Sequence, residues 1–148
     1  MKLMERTGEP ALAEELAVLL EEFYRQGDLA VSYIEDKETY AKKIAEHAVV
    51  FFAMERETVT GFCALYVNRP PRGFLTFYGV LPAFRGQGIG NELMSCAVRA
   101  AQANGCSLLD ARVDQQNPTS RKALEFAGFH VVCEEENPLL LRWEQARE

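Results

Sequence analysis

The sequence predicts a mixed α/β (α+β) fold built on a mostly antiparallel sheet. Three observations carry this. Leucines at helical spacing open the chain, three β-rich runs joined by short turns follow, and the later strands alternate with helices. The order ααβββαβαββ, in a chain of 148 residues, fits one domain spanning 1–148.

A first helix is predicted over 10–24. Leu12, Leu16, Leu19, Leu20 and Phe23 share one face, and Glu14, Glu15, Glu21 and Glu22 fill the other. Pro10 suits the first turn and Gly27 the stop. A second helix over 36–46 places Tyr40 and Ile44 inward. Residues 49–54, 58–68 and 74–80 are rich in β-branched and aromatic side chains. The segments between them, 55–57 and 69–73, are short enough to imply antiparallel pairing. A glycine-rich stretch then enters a helix over 88–104, with Leu93, Met94, Ala97, Val98 and Ala101 as its inner stripe and Gly105 as its end. A strand over 107–113 follows. Asn117 and Pro118 open another helix as N-cap and first-turn proline, and Gly128 closes it. Strands over 129–134 and 139–143 complete the order.

Sixteen basic against 22 acidic side chains give a net charge of -6 and an isoelectric point near 5.1. A duplex-binding protein would carry a basic excess, so no nucleic-acid partner is expected. An acidic surface is compatible with cationic partners such as amines. The longest strongly apolar run, 48–54, falls far short of the ~20 residues that span a bilayer. The first ten residues hold no apolar signal core, so the expectation is a cytoplasmic protein without membrane contact. Cys63, Cys96, Cys106 and Cys133 are irregularly spaced in apolar surroundings and read as buried free thiols, with no metal site expected.

The chemical signal is FYGVLPAFRGQGIG at 77–90, a strand running through Gly86, Gly88 and Gly90 into a helix. Small residues admit a ligand close to the backbone. The first helical amides lack intrahelical partners, and the helix dipole favours an anion there. Arg85 adds a fixed positive charge. The Walker pattern is absent, because no Gly-Lys-Ser/Thr occurs. The dinucleotide pattern G-x-G-x-x-G nearly fits, with Asn91 at the third glycine position and Asp110 as a ribose-binding acid 20 residues beyond Gly90. The antiparallel run before the turn leaves little room for a doubly wound domain. A tight turn of purely structural purpose also fits.

The segment Val80-x-Pro82-x-x-Arg85-Gly86-Gln87-Gly88-Ile89-Gly90 resembles the coenzyme A-binding motif of the GNAT superfamily of N-acetyltransferases. Its Q/R-x-x-G-x-G/A core is met by Arg85, Gly88 and Gly90. A second block, from Asn117-Pro118-Thr119-Ser120 through Leu124 to Gly128-Phe129, is similar to the family's N-x-x-[SA]-x-x-x-[YL]-x-x-x-G-F. The motifs alone cover about 77–129, and the element order extends the likeness over nearly the whole chain.

The resemblance implies transfer of an acetyl group from acetyl-CoA to a primary amine of a small molecule, by direct attack in a ternary complex. It implies helices on both faces of the sheet, with the strands the family counts as fourth and fifth splayed apart after a bulge. The pantetheine arm would lie in that gap against the backbone of Tyr78, Gly79 and Val80. The backbone amide of Tyr78 would polarise the thioester carbonyl. The amides of Arg85, Gly86, Gln87, Gly88, Ile89, Gly90 and Asn91 would hold the pyrophosphate. Asn117 and Ser120 would lie near the arm, and Arg121 with Lys122 within reach of phosphate. Tyr33, Tyr40, Tyr66 and Asn68 lie on elements that border the acceptor pocket. A homodimer is also compatible with the family.

Two departures stand out. Many members carry a tyrosine, which protonates the departing thiolate, where this chain has Leu124. A CoA-like thiol of pKa ~8.5 lies ~1.5 units above pH 7, so that assistance is worth at most ~2 kcal/mol. Residues 74–77 also lack the glutamate that often serves as base. Deprotonating a lysine-like amine at pH 7 costs ~4.6 kcal/mol, against ~1 kcal/mol for an α-amine. The missing base therefore favours an acceptor of low pKa. Both departures also suit a non-catalytic acyl-CoA-binding or regulatory module.

Overall fold

The computed structural model describes residues 1–9, 11–28 and 31–146. The elements run β1 (Lys2–Glu5), α1 (Leu12–Arg25), α2 (Lys37–His47), β2 (Val49–Glu55), β3 (Thr58–Tyr66), β4 (Arg72–Val80), α3 (Ile89–Ala103), β5 (Leu108–Val113), α4 (Pro118–Phe126), β6 (His130–Cys133) and β7 (Leu139–Glu144), with a 3-10 turn at Pro82–Phe84 between β4 and α3. Every element expected from the sequence is present. Pro10, the expected start of α1, lies outside the described residues. The addition is β1, an edge strand paired antiparallel with β2 from Lys2↔Met54 to Glu5↔Phe51.

The seven strands form one sheet in the order β1-β2-β3-β4-β5-β7-β6. All neighbours are antiparallel except β4 and β5, whose parallel pairing follows from the α3 crossover. The leucine face of α1 is fully used: Leu12, Leu16, Leu19, Leu20 and Phe23 are all buried. With Ala41 and Ile44 of α2 they cover one face of the sheet over Phe52, Phe62 and Phe77. Phe62 and Phe77 stack with ring centroids 4.2 Å apart, and Phe23 meets Phe77 edge-on at 5.4 Å. On the opposite face, Leu93, Met94, Ala97 and Ala101 of α3 and Leu124 of α4 pack over Leu75, Leu109, Ala111 and Leu141.

The sheet opens where the site must be. On β4, Phe77 faces Ala64 and Leu75 faces Leu65, so Thr76 is an extra residue. The β4–β5 ladder runs from Arg72↔Leu108 to Leu75↔Ala111 and ends at that bulge. Beyond it, β4 continues to Val80 without a partner on that side.

Candidate active site

The register of β4 decides which backbone groups face the opening. Leu81 donates its amide to the Thr60 carbonyl at 2.8 Å, so Thr60 and Leu81 form a hydrogen-bonded pair. The register is unbroken from Gly61↔Val80 to Ala64↔Phe77. Antiparallel pairs alternate, so Gly79 and Phe77 bond to β3, whereas Tyr78 and Val80 turn their amides and carbonyls away from it. Those groups face the gap left by β5. The Val80 carbonyl accepts from Arg85 Nε at 3.0 Å.

Two cavities meet at this gap. A cleft of about 650 Å³ runs between α2, β4, β5 and α4, lined by Tyr33, Tyr40, Thr76, Tyr78, Asn117 and Leu124 among others. A smaller one of about 350 Å³ lies at the N-terminus of α3, against Tyr78 through Val80, Arg85, Gly86 and Gly88 through Gly90. Tyr78, Asn117 and Ser120 line both.

The smaller cavity has the donors and the helix N-terminus that could hold an anion. Gly86 and Gly88 take positive φ of 81° and 82°, which lets the chain turn sharply into α3. Gly88 is the N-cap and supplies no capping side chain. The first amide of the turn with an acceptor among the described residues is that of Glu92, bonded to the Gly88 carbonyl at 3.2 Å. The amides of Gly86, Gln87, Gly88, Ile89, Gly90 and Asn91 have none there. Gly90 is needed for space, because the Tyr78 hydroxyl occupies the position a Cβ would take. Burial and the nearby Cys63 thiol raise the Tyr78 pKa, and Arg85 opposes them.

Tyr33, Tyr40 and Tyr78 line the larger cleft, and Tyr66 does not. The Tyr40 hydroxyl donates within 2.8 Å of the Thr76 carbonyl and lies 2.9 Å from Thr76 Oγ1, which ties α2 to the bulge. Burial drives its pKa well above the ordinary phenol value. Tyr33 is an exposed rim residue. The Tyr66 hydroxyl is buried without a hydrogen-bond partner among the described residues, and Lys43 Nζ sits 5.4 Å above its ring.

Four sequence expectations need correction. Tyr66, expected to border the acceptor pocket, lines neither cavity. Arg121 is not aimed at the phosphate cavity: it bonds Glu125, one helical turn on, at 3.2 Å and Glu134 at 3.1 Å. Asn68 is exposed past the end of β3, outside both cavities. Asp110, the acid the dinucleotide pattern would need for a ribose, is instead committed to an ion pair: its buried carboxylate receives Arg142 at 2.7 and 3.1 Å. Gln87 and Asn91 offer the turn their amides, and their side chains are exposed.

Other residues reach the site unannounced by any motif. Asp28, at the end of the α1 turn, accepts from Arg85 Nη2 at 2.6 Å. Asp36, Glu35 and Asp114 bring carboxylates to the cleft. Asp36 caps α2 through the Thr39 amide at 3.1 Å, and Asp114 accepts from the Gln116 amide at 2.6 Å.

A sheet opened at a β4 bulge beside an uncapped glycine turn defines a class of acyl-carrier-binding transferases. The sequence profile of the Acetyltransferase (GNAT) family matches residues 13–129, and the chain belongs to this family. No curated protein matches the sequence. Among solved structures, a GNAT-family acetyltransferase from Staphylococcus aureus Mu50 is similar at TM-score 0.80 and 10% identity, over 98% of this chain and 100% of that one. The PaiA N-acetyltransferase of Thermoplasma acidophilum, solved with coenzyme A, gives 0.74 at 17% identity, over 97% and 99%. YncA from Salmonella typhimurium, solved with its cofactor acetyl-CoA, gives 0.71 at 18% identity, over 100% and 96%. At these identities the likeness is one of fold.

Proposed function

We propose that the chain moves an acetyl group from acetyl-CoA to a primary amine of a small molecule by direct attack in a ternary complex. The observation that carries this is the run of unbonded amides from Gly86 to Asn91, which opens beside the outward-facing amides of Tyr78 and Val80. The turn would take the diphosphate, its negative charge met by several amide donors and the dipole of α3. The arm would run past Asn117 and Ser120 into the gap. There the Tyr78 amide, which faces the gap, would donate to the thioester carbonyl, and the donation would strengthen as negative charge builds on that oxygen.

The acceptor would enter through the larger cleft. Its neutral nitrogen attacks the carbonyl carbon and loses a proton to solvent water, the C–S electron pair passes to sulfur, and the thiolate leaves. Buried Cys63, Cys96 and Cys106 lie outside both cavities, as does Cys133, which supports direct transfer over an acetyl-cysteine intermediate. No carboxylate stands on β4 near the bulge, which favours an amine of low pKa, such as an amino sugar or an amino acid α-amine.

The test is release of free thiol from acetyl-CoA across an amine panel, with products identified by mass spectrometry. Acetylated amine at catalytic turnover is the expected result. Binding of acetyl-CoA with no turnover on any amine would leave a carrier-binding module, the reading that Leu124 at the usual acid position favours.

A further inference from the structure

We propose that Ser120 is the hydrogen-bond donor to the departing thiolate, in the place left without a hydroxyl by Leu124. The inference rests on the acetyl-transfer reading above. Leu124 is buried on α4 and presents hydrocarbon to the cleft. Ser120 stands one helical turn earlier on the same helix, so the two side chains share a face. Ser120 also lines both cavities, at the neck through which the pantetheine arm would pass.

Hydrogen bonding prepares the serine for this task. The Ser120 amide donates to Asn117 Oδ1 at 3.2 Å. That bond orients the Asn117 amide group, and Asn117 Nδ2 then donates to Ser120 Oγ at 3.0 Å. The serine oxygen is thus an acceptor for asparagine, and its own proton has no acceptor among the described residues. A hydroxyl that already accepts a bond is a polarised donor.

The other hydroxyls of the cleft are engaged or misplaced. Thr39 donates to Asp36 Oδ2 at 2.7 Å. Tyr40 and Thr76 are bound to each other. Tyr33 is on the rim, and the Tyr78 hydroxyl rests against Gly90, at the phosphate end.

The step balances without further reagents. The amine nitrogen forms the C–N bond and the C–S electron pair passes to sulfur. Ser120 donates a hydrogen bond to the developing thiolate and keeps its proton. The proton lost by nitrogen goes to solvent water, and the released thiolate takes one back from it. A serine is too weak an acid to surrender its proton to a thiolate of pKa ~8.5, so its contribution is charge stabilisation.

The experiment measures single-turnover acetyl transfer at saturating acetyl-CoA, with the acceptor found by the amine panel. Ser120→Ala is expected to slow transfer by about tenfold or more, the worth of one hydrogen bond to a charged group. The acetyl-CoA dissociation constant should change less than about twofold, and thermal unfolding should be near wild type because the cap uses the backbone amide. Adding Leu124→Tyr to Ser120→Ala should restore much of the rate by returning a hydroxyl to the face. A Ser120→Ala rate equal to wild type overturns the assignment, as does a loss carried wholly by weaker donor binding. A wild-type chain that acetylates no amine overturns the transfer reading itself, and this assignment with it.

Discussion

The Arg85 guanidinium donates to the Asp28 carboxylate at 2.6 Å, joining residues 57 apart in the chain. Asp28 is almost fully buried, whereas Arg85 is 45% exposed. One carboxylate therefore fixes the arginine of the glycine turn and offsets part of its charge. Arg85→Gln should weaken acetyl-CoA binding about tenfold and cost about 1–3 kcal/mol of stability, since it leaves Asp28 without this donor. Asp28→Asn should remove the carboxylate that offsets the arginine's charge and bind acetyl-CoA at least as tightly at low salt. Calorimetric titration and urea unfolding of both variants check this.

Gly88 and Gly90 should fail for different reasons when changed to alanine. Gly88 has open space around it but a φ of 82°. Its alanine variant should lose about 1–2 kcal/mol through backbone strain. Gly90 has no such φ, and its alanine would collide with the Tyr78 hydroxyl. Tyr78→Ala should therefore relieve Gly90→Ala and leave Gly88→Ala unrelieved. A double-mutant cycle on unfolding free energy reads the coupling.

Alkaline pH should destabilise the fold through its tyrosines. Burial raises the pKa of Tyr40, Tyr66 and Tyr78 above the ordinary 10.0. A pKa raised by folding means stability is fully present below the unfolded value and lost as pH rises through the folded one. Urea unfolding should thus give falling stability above about pH 10. Tyr40→Phe should flatten that fall, and it should also lose about 1 kcal/mol at neutral pH by leaving the Thr76 carbonyl at the bulge unbonded.

The rate should follow the acceptor's own ionisation. With no carboxylate on β4 at the bulge, log kcat/KM is expected to rise with pH up to the pKa of the amine and then level. Glu35→Gln, which removes a carboxylate at the cleft, should leave that profile within about twofold. A profile whose inflection stays fixed when the amine is changed would point to an enzyme base instead.

How much was legible in the sequence follows the range of the interactions. Helical spacing, caps and turn glycines are local signals: Asn117 capping α4, Gly27 after α1 and Gly105 after α3 all stand as expected. The glycine turn into α3 was legible because a strand, three glycines and a helix lie within one short segment. Strand β1 was not, since it is four residues long with charged ends and is held by the neighbouring β2. The Asp28–Arg85 and Tyr40–Thr76 contacts were hidden for another reason, as each joins elements distant in sequence. Arg121 misled because its two glutamate partners lie on α4 and just after β6, away from the glycine turn.

A crystal structure of the chain with acetyl-CoA tests the central claim most directly. The account predicts diphosphate oxygens on the amides between Gly86 and Asn91, and the thioester oxygen on the amide of Tyr78. A cofactor bound elsewhere, with those amides left to water or to the chain's own side chains, would contradict it.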